Sequence, residues 1–410
     1  MTRKYSLQKE KIKVLLLEGI HQSAHDFFVG NGYTNIECLP NALSDEVLKE
    51  KIRHASIIGI RSRTHLTKEI LNAAEKLFAI GCFSIGTNQV DNNTAKLSGI
   101  PVFNAPFSNT RSVAELVIAE CILLLRNIPV KNAAAHKGKW LKSASNSFEV
   151  RDKNLGIIGY GHIGSQVSIL AEALGMNVYY YDIVKKLSLG KAVACSSLEE
   201  LLSVAHIVTL HVPETSLTRN MIGERELSLM RKGSCLLNLA RGSVVDISAL
   251  TKALKSGHLL GAALDVFPDE PASNTDPFIS DLQHYDNVIL SPHVGGSTIE
   301  AQENIGTEVA EKLVKYSDTG ATIGSTNFVQ ISLQPNHNVQ RFLHIHKNEP
   351  GILKEVNYVF TSKGINIAAE YLQTDPDIGY VIIDTDSKLG SSILKELKAI
   401  EGTIRVRMLY

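Results

Sequence analysis

Cysteine, tryptophan and any excess of one charge are what this 410-residue chain has least of. The five cysteines (Cys38, Cys82, Cys121, Cys195 and Cys235) are odd in number and far apart, and none forms a C-x-x-C pair. That excludes a disulfide framework, and no metal site is expected. Most of them sit in apolar runs, as buried thiols in a reducing compartment do. Lys plus Arg and Asp plus Glu each total 42, so no global field points to nucleic acid or to a membrane surface. No apolar run approaches a membrane span. The first one, Val14 to Leu17, is too short for a signal peptide and follows a charged start (Arg3, Lys4, Lys9, Glu10, Lys11). A cytoplasmic protein is expected. Apolar content of 44% and charged content of 20% describe an ordinary soluble chain, long enough for two or three domains with their own cores.

The run from Leu155 to Asp182 carries the most information. Leu155-Gly156-Ile157-Ile158 is a short apolar strand that enters Gly159-Tyr160-Gly161-His162-Ile163-Gly164. A helical pattern (Val167, Leu170, Ala171, Leu174) follows, and a second strand from Asn177 delivers Asp182 eighteen residues after Gly164. Gly159 suits a tight turn, Gly161 lets backbone approach a pyrophosphate, and Gly164 allows close helix–strand contact. The helix start offers N–H groups and a positive dipole end to phosphates. An aspartate at the tip of the next strand accepts from ribose hydroxyls and repels a 2′-phosphate, which favours NAD. Lys185 and Lys186, just behind it, keep NADP open.

Strands and helices alternate on both sides of this run. Before it, strands are expected near Lys13–Leu17, Ile36–Leu39, Ser56–Ile60, Leu77–Cys82 and Pro101–Phe103, with helices between them. A long apolar helix, capped by Thr110 and running through Arg126, would carry Glu115 and Glu120 on its polar face. After Asp182, strands at Ile207–Leu210, Cys235–Leu239, Ala262–Asp265 and Val288–Leu290 complete the six of a dinucleotide-binding domain. An amphipathic helix from Ile299 to Tyr316 would return to the first domain. Residues from Asp318 to Gln340 are polar and turn-rich and read as a linker. Beyond it, strand, helix, strand, strand, helix (from Ser391) and strand follow in about 70 residues, the ferredoxin-like βαββαβ plan. The fold class is therefore α/β: a flavodoxin-like domain (1–108 and 297–335), a doubly wound, Rossmann-like domain (109–296) and a ferredoxin-like module (339–410).

Three ionisable residues fall just past strands: Arg241, Glu270 and His293. In an open α/β sheet the ligand crevice lies outside the carboxyl ends of the strands. Hydride transfer to a carbonyl needs a cation to hold and polarise a 2-oxo acid and a proton donor for the developing alkoxide. Arg241 suits the first role and His293 the second, with Glu270 orienting the imidazole. Capping and surface charge are the structural alternative for any one of them taken singly. Two arginines at alternate positions in Gly59-Ile60-Arg61-Ser62-Arg63-Thr64, with Asn109 and Lys142, could offer donors to a second anionic end, with a solvated basic turn as the alternative that the residues alone favour. A glycine-rich run, Ile80 to Asn88, reads as a second loop beside the substrate. Trp140, the only tryptophan, lies in a polar stretch and reads as an interface residue.

The motifs Leu239-Ala240-Arg241-Gly242-Ser243-Val244-Val245-Asp246, Asp265-Val266-Phe267-Pro268-Asp269-Glu270-Pro271 and Ser291-Pro292-His293-Val294-Gly295-Gly296-Ser297-Thr298 give the chain a family resemblance. It resembles the D-isomer-specific 2-hydroxyacid dehydrogenases over essentially its whole length, with a C-terminal module similar to an ACT regulatory domain. The resemblance implies Arg241, Glu270 and His293 as the catalytic set, with His293 as general acid/base. It implies NAD contacts at the glycine loop with His162 and Ile163, at Asp182, at Leu239, Ala240 and Arg241, at Asp265, and at His293 with Val294, Gly295 and Gly296. It puts Arg61, Ser62 and Arg63 in a substrate-binding loop. The implied reaction oxidises a phosphorylated 2-hydroxy acid, 3-phospho-D-glycerate, to 3-phosphooxypyruvate at the opening of L-serine biosynthesis. It also implies L-serine as an effector held by His346, Asn348 and Asn366 at a seam between subunits of a homo-oligomer, a tetramer. Two alternatives stand beside it: reduction of another dianionic 2-oxo acid such as 2-oxoglutarate, and a NAD-sensing, corepressor-like binding protein.

Overall fold

The computed structural model describes residues 8–271, 275–336, 339–386 and 392–409. Arg3 and Lys4 of the charged start, residues 337 and 338 of the expected linker, and Ser391 lie outside the described residues. The chain divides into two compact units. One takes the chain up to Ser108 and again from Gln302 onward; the other is Asn109–Ala301.

The first unit begins with alternating elements: β1 (Val14–Leu16), α1 (Gln22–Gly30), β2 (Ile36–Cys38), α2 (Asp45–Ile52), β3 (Ile57–Ile60), α3 (Lys68–Asn72), β4 (Ala79–Cys82), α4 (Asn92–Leu97) and β5 (Val102–Asn104). All five strands are parallel in the order β2-β1-β3-β4-β5, so the chain reverses its direction of winding between β1 and β3.

The second unit holds α5 (Thr110–Leu125), α6 (Ile128–His136), β6 (Asn154–Ile158), α7 (His162–Ala173), β7 (Asn177–Tyr181), β8 (Val193–Ala194), α8 (Leu198–Val204), β9 (Ile207–Leu210), α9 (Glu224–Leu229), β10 (Ser234–Asn238), α10 (Ile247–Lys255), β11 (Leu259–Leu264) and β12 (Val288–Leu290). Its parallel sheet has seven strands, ordered β12-β11-β10-β9-β6-β7-β8. The switch point lies between β6 and β9. β8, two exposed residues long, had no apolar alternation to reveal it. α6 is a further helix beyond the expected one; Asn127 in the left-handed region separates it from α5, and a proline opens it.

α11 (Ile299–Thr319) carries the chain back. Its Ile305, Val309, Leu313 and Tyr316 are buried in one cluster with Val14, Phe28 and Phe103. β13 (Gln340–Lys347), α12 (Ile352–Thr361), β14 (Ile367–Thr374), β15 (Ile378–Thr385), α13 (Ser392–Ala399) and β16 (Thr403–Leu409) follow, as an antiparallel sheet ordered β14-β15-β13-β16. One sheet face (Phe342, Val381, Ile383, Val406) packs under α12 and α13. The other face (Leu343, Ile345, Tyr380, Ile382, Leu409) joins the cluster of Val14 and Leu313.

This corrects the linker expectation. Between α11 and β13, Ala321, Phe328, Ile331 and Leu333 are buried in that same cluster. The polar composition of the segment hid these apolar residues. Arg341, 2% exposed, makes a bidentate pair with Asp384 at 2.7 Å and also donates to the carbonyls of Thr319 and Gln334. Tyr380 donates to the carbonyl of Gly320 at 2.7 Å. The module is therefore packed onto the first unit rather than tethered to it.

A second correction concerns α5. Glu115 is paired with Arg111 on the exposed face, but Glu120 is 1% exposed in the apolar stripe of Val113, Val117, Cys121 and Leu124. Neither of its carboxyl oxygens has a hydrogen-bond partner among the described residues. Burial, and then the charge of Asp265, push its pKa up from 4.5 to about 8. Cysteine burial also splits: Cys82, Cys121 and Cys235 are buried, Cys195 is intermediate and Cys38 is exposed. No helix among the described residues is long and apolar enough to cross a membrane.

The Glu120 shift has a measurable sign. Between pH 4.5 and about 8 the folded chain holds a proton that the unfolded chain has released. Stability present below that window is lost as pH rises through it, by at most about 1.4 kcal/mol per pH unit. Glu120→Gln, which cannot ionise, is expected to match the parent in thermal unfolding near pH 5 and to exceed it increasingly toward pH 8. A difference that does not grow with pH would show that Glu120 ionises freely in the folded state.

Candidate active site

In the second unit, the end of β6 meets the end of β9 at the switch point. Gly159 has φ +91°, and a Cβ there would lie 2.4 Å from the carbonyl oxygen of His211. Only glycine fits this approach. A Cβ at Gly164 would collide with the Gly159 carbonyl, at 2.3 Å. At Gly161, by contrast, nothing stands within 4 Å of an added Cβ, and no side chain caps α7 there. An open glycine at an uncapped helix start is the cradle a pyrophosphate requires. Asp182 accepts from the Tyr160 N–H at 2.9 Å and the Val184 N–H at 2.8 Å, so its carboxylate is held between the glycine loop and the turn after β7. Tyr160 and Tyr180 stack with ring centroids 3.9 Å apart, and the Tyr180 hydroxyl donates to the carbonyl of Lys186. These residues fit a dinucleotide with an unmodified ribose.

Past β11 and β12 lies the ionisable pair. His293 Nδ1 is 2.8 Å from Glu270 Oε2. Glu270 Oε1 accepts from the Phe267 N–H at 3.1 Å, which fixes the carboxylate from the other side. The hydrogen bond to Glu270 raises the imidazole pKa; the charges of Glu270 and Asp265 add to it, and burial and Arg241 oppose it. Burial would raise Glu270, but the His293 hydrogen bond and charge, the Phe267 N–H and Arg241 together carry it below its ordinary value. With Nδ1 engaged by Glu270, Nε2 is the other nitrogen of a half-exposed ring. His293 also has φ +53°, a left-handed conformation that a non-glycine residue holds only where its surroundings dictate it.

Asp265 dictates it. This 2% exposed carboxylate accepts from Ser291 Oγ at 2.6 Å, Val294 N–H at 2.8 Å and Gly295 N–H at 2.7 Å. A Cβ at Gly295 would sit 2.9 Å from Asp265 Oδ2, so glycine is required there. At the end of β10, buried Asn238 donates to the Arg241 carbonyl and accepts from the Ala240 N–H, which shapes the turn presenting Arg241. Leu239 and Ala240 of that turn are buried. Sequence reasoning named Asp265 as a cofactor contact and missed its hold on the His293 loop; Asn238 was missed altogether.

The expected substrate residues fall in both units. Arg61, Ser62 and Arg63 follow β3 in the first unit, at the carboxyl end of the strand beside its switch point. Arg63 and Ser62 are exposed and Arg61 is partly so. Two residues that sequence reasoning did not find, Glu18 and Gln89, bond to this loop. Asn109 and Lys142 belong to the second unit. Asn109 is buried with its amide against Gly296, and Lys142 is exposed. Trp140 is 86% exposed. In the module, His346 is 4% exposed, 3.3 Å from His344 through the two Nδ1 atoms. Asn348 donates to the Asp375 carbonyl and Asn366 to Asp386.

Residues 118–295 match the family model described as D-isomer specific 2-hydroxyacid dehydrogenase, NAD binding domain, and residues 342–405 match an AHAS small subunit-like ACT domain. The chain is 60% identical to D-3-phosphoglycerate dehydrogenase of Escherichia coli strain K12, over 99% of this chain and 100% of that one. The chain belongs to the D-isomer specific 2-hydroxyacid dehydrogenase family. The D-3-phosphoglycerate dehydrogenase of Dictyostelium discoideum is 47% identical over 99% of both chains. Among solved structures, D-lactate dehydrogenase from Aquifex aeolicus, complexed with NAD and lactic acid, superposes with a TM-score of 0.65 at 30% identity, covering 74% of this chain and 95% of that one. As a member of this family the chain is an NAD-dependent oxidoreductase. Its second unit carries the NAD-binding domain, and its C-terminal module is an ACT domain.

The His293–Glu270 geometry sets a pH dependence for a family dehydrogenase. Oxidation of an alcohol needs the imidazole neutral, so kcat/KM in that direction is expected to rise as pH climbs through a pKa that Glu270 raises. In Glu270→Gln that rise should move to lower pH and its plateau should fall. Profiles that superpose would remove Glu270 from this role.

Proposed function

We propose that this enzyme oxidises 3-phospho-D-glycerate to 3-phosphooxypyruvate, the step that opens L-serine biosynthesis. The observation that carries the reading is the arginine loop at the switch point of the first sheet, in a chain similar along its whole length to enzymes of that name. A substrate with a carboxylate and a phosphate needs a cation for each end. Arg241 suits a carboxylate, and Arg61 and Arg63 suit a phosphate as a bidentate-capable pair. Lys142 and Asn109 add donors. His293 takes the 2-hydroxyl proton at Nε2 while Nδ1 remains on Glu270, and the imidazolium formed is stabilised by that carboxylate. Asp182 accepts from the adenosine ribose and excludes a 2′-phosphate, and Gly161 with the start of α7 receives the pyrophosphate. Bound NAD supplies the hydride acceptor. The functional division is a substrate domain in the first unit, an NAD domain in the second, and the ACT module from about 339 as regulator.

The same reading makes L-serine the effector at the rim of the ACT module. Asn348, just past β13, and Asn366, just before β14, stand at opposite ends of the sheet, their amides donating to the Asp375 carbonyl and to Asp386, so a site using both takes them from two subunits at the seam; Gly351 opens α12 in the left-handed region with no capping side chain. His346, being buried, would act from beneath that rim. Exposed Trp140 and Leu141 supply a subunit contact for a homotetramer.

Steady-state turnover with 3-phospho-D-glycerate, 3-phosphooxypyruvate and 2-oxoglutarate separates the substrates, and absence of turnover with any 2-oxo acid would favour a binding protein. Arg61→Ala and Arg63→Ala are expected to raise KM for the phosphorylated substrate about tenfold or more, the size of a lost charge-assisted hydrogen bond. His293→Ala should lower kcat by roughly two to four orders of magnitude with NADH binding retained.

Millimolar L-serine should inhibit the parent, and Asn348→Ala should weaken that inhibition without changing uninhibited turnover. An enzyme indifferent to serine would remove the effector while leaving the reaction in place. Truncation at Gln340 is a poor test, because it would strip the face of Leu343, Ile345 and Tyr380 from a shared core.

A further inference from the structure

Two buried side chains at the carboxyl end of the first sheet have no part in the chemistry above. Glu18 lies just past β1, on the other side of the switch point from the arginine loop, and is 8% exposed. Its Oε1 accepts from the N–H of Arg61 at 3.0 Å and of Thr64 at 2.9 Å, and its Oε2 accepts from the N–H of Arg63 at 2.9 Å. A run of backbone N–H groups curled around one point is an anion-binding nest. Here the anion is the protein's own.

The loop is fixed from its carbonyl side as well. Gln89, 5% exposed, donates through Nε2 to the Arg61 carbonyl at 2.7 Å and to Ser84 Oγ at 3.1 Å. Ser84 in turn donates to the Gly86 carbonyl at 2.8 Å. One amide thus joins the arginine loop to the glycine-rich loop after β4. The backbone at Glu18 is itself in the left-handed region, φ +62°, and is followed by Gly19, also at +62°. A non-glycine residue held there, with its carboxylate spent on three N–H groups, belongs to a conformation that the surroundings dictate.

The arrangement separates two jobs. The carboxylate takes the backbone N–H groups and leaves the guanidinium groups alone; neither Arg61 nor Arg63 is ion-paired among the described residues. We infer that Glu18 and Gln89 are positioning residues for the anionic end of the substrate. Glu18 turns the 61–64 backbone inward, Gln89 locks its carbonyl, and the two arginine side chains are presented to a phosphate. Neither residue touches the substrate. The inference rests on the substrate reading above and extends it to the residues that shape the site.

The test is a KM-against-kcat split in the full-length enzyme. Glu18→Gln keeps the volume, removes the charge and sets an amide N–H₂ against backbone N–H groups. It is expected to raise KM for the phosphorylated substrate about tenfold or more, as for a lost charge-assisted contact, with KM for NAD unchanged and kcat within about twofold. Gln89→Leu is expected to raise the same KM several-fold, and it decides the matter if Glu18→Gln fails to fold. A purely structural role predicts a lower melting temperature with every KM intact, and that outcome overturns the inference. If Arg61→Ala and Arg63→Ala raise KM while Glu18→Gln and Gln89→Leu do not, the inference alone falls. If the arginine variants are silent too, the substrate reading falls and takes the inference with it.

Discussion

A buried carboxylate that accepts three hydrogen bonds is the device on which both halves of this enzyme depend. In the NAD-binding unit it is Asp265, which gathers Ser291, Val294 and Gly295 and so holds His293 in its left-handed conformation. In the first unit it is Glu18, which gathers Arg61, Arg63 and Thr64. Each stands where a strand ends and orders a loop that follows another strand. A loop needs such an anchor because its backbone groups have no ladder to join. A carboxylate supplies several acceptor sites at one point, and charge-assisted bonds to it are stronger than neutral ones.

Glu120 shows what the same group does without donors. It is as deeply buried as Asp265, but neither oxygen is bonded among the described residues, and burial drives it toward the neutral acid. Desolvation penalises the charged form in every case; only a set of aimed N–H and O–H groups offsets it. The contrast shows what Asp265 gains from its three donors, a fixed place from which to order the loop of His293. It also explains why a second carboxyl within its electrostatic reach is the one that keeps its proton.

Local pattern made much of this fold legible, and long-range bonding concealed the rest. The glycine loop, its strand and helix, and Asp182 were readable because each requirement falls within thirty consecutive residues. Strand after strand in both parallel sheets could be placed from short apolar runs, as could the βαββαβ order of the module. Glu120 was misplaced on a polar face although the signal was present: it lies seven residues after Val113 and four before Leu124, in register with the buried stripe. The roles of Glu18 and Asp265 had no local signal, since their partners are 26 to 46 residues away. The polar segment from Asp318 misled in the opposite sense. Its composition is that of a linker, but its few apolar residues, with the bonds from Arg341 and Tyr380 to its carbonyls, seat it in the core.

That packing constrains how the ACT module can influence catalysis. A module on a flexible tether could swing as a body; this one contributes a full sheet face to the core that also holds Val14, Leu313 and Tyr316. Arg405 on β16 donates to the carbonyls of Leu77 and Ser98, which flank β4 and β5, and Lys96 on α4 is paired with Asp375 and Asp377. Detaching the module would break the bonds from Arg341 to the carbonyls of Thr319 and Gln334 and uncover a full apolar sheet face. A ligand at the module's rim can shift an equilibrium only by the difference in its affinity for two arrangements, typically 1–3 kcal/mol. That is too little to detach the module and enough to slide or tilt packed elements. Any influence on the arginine loop must therefore pass through contacts that stay formed. β4 is the element placed to receive it: Leu77, just before the strand, takes the bond from Arg405, and the glycine-rich loop after it is the one Gln89 ties to Arg61.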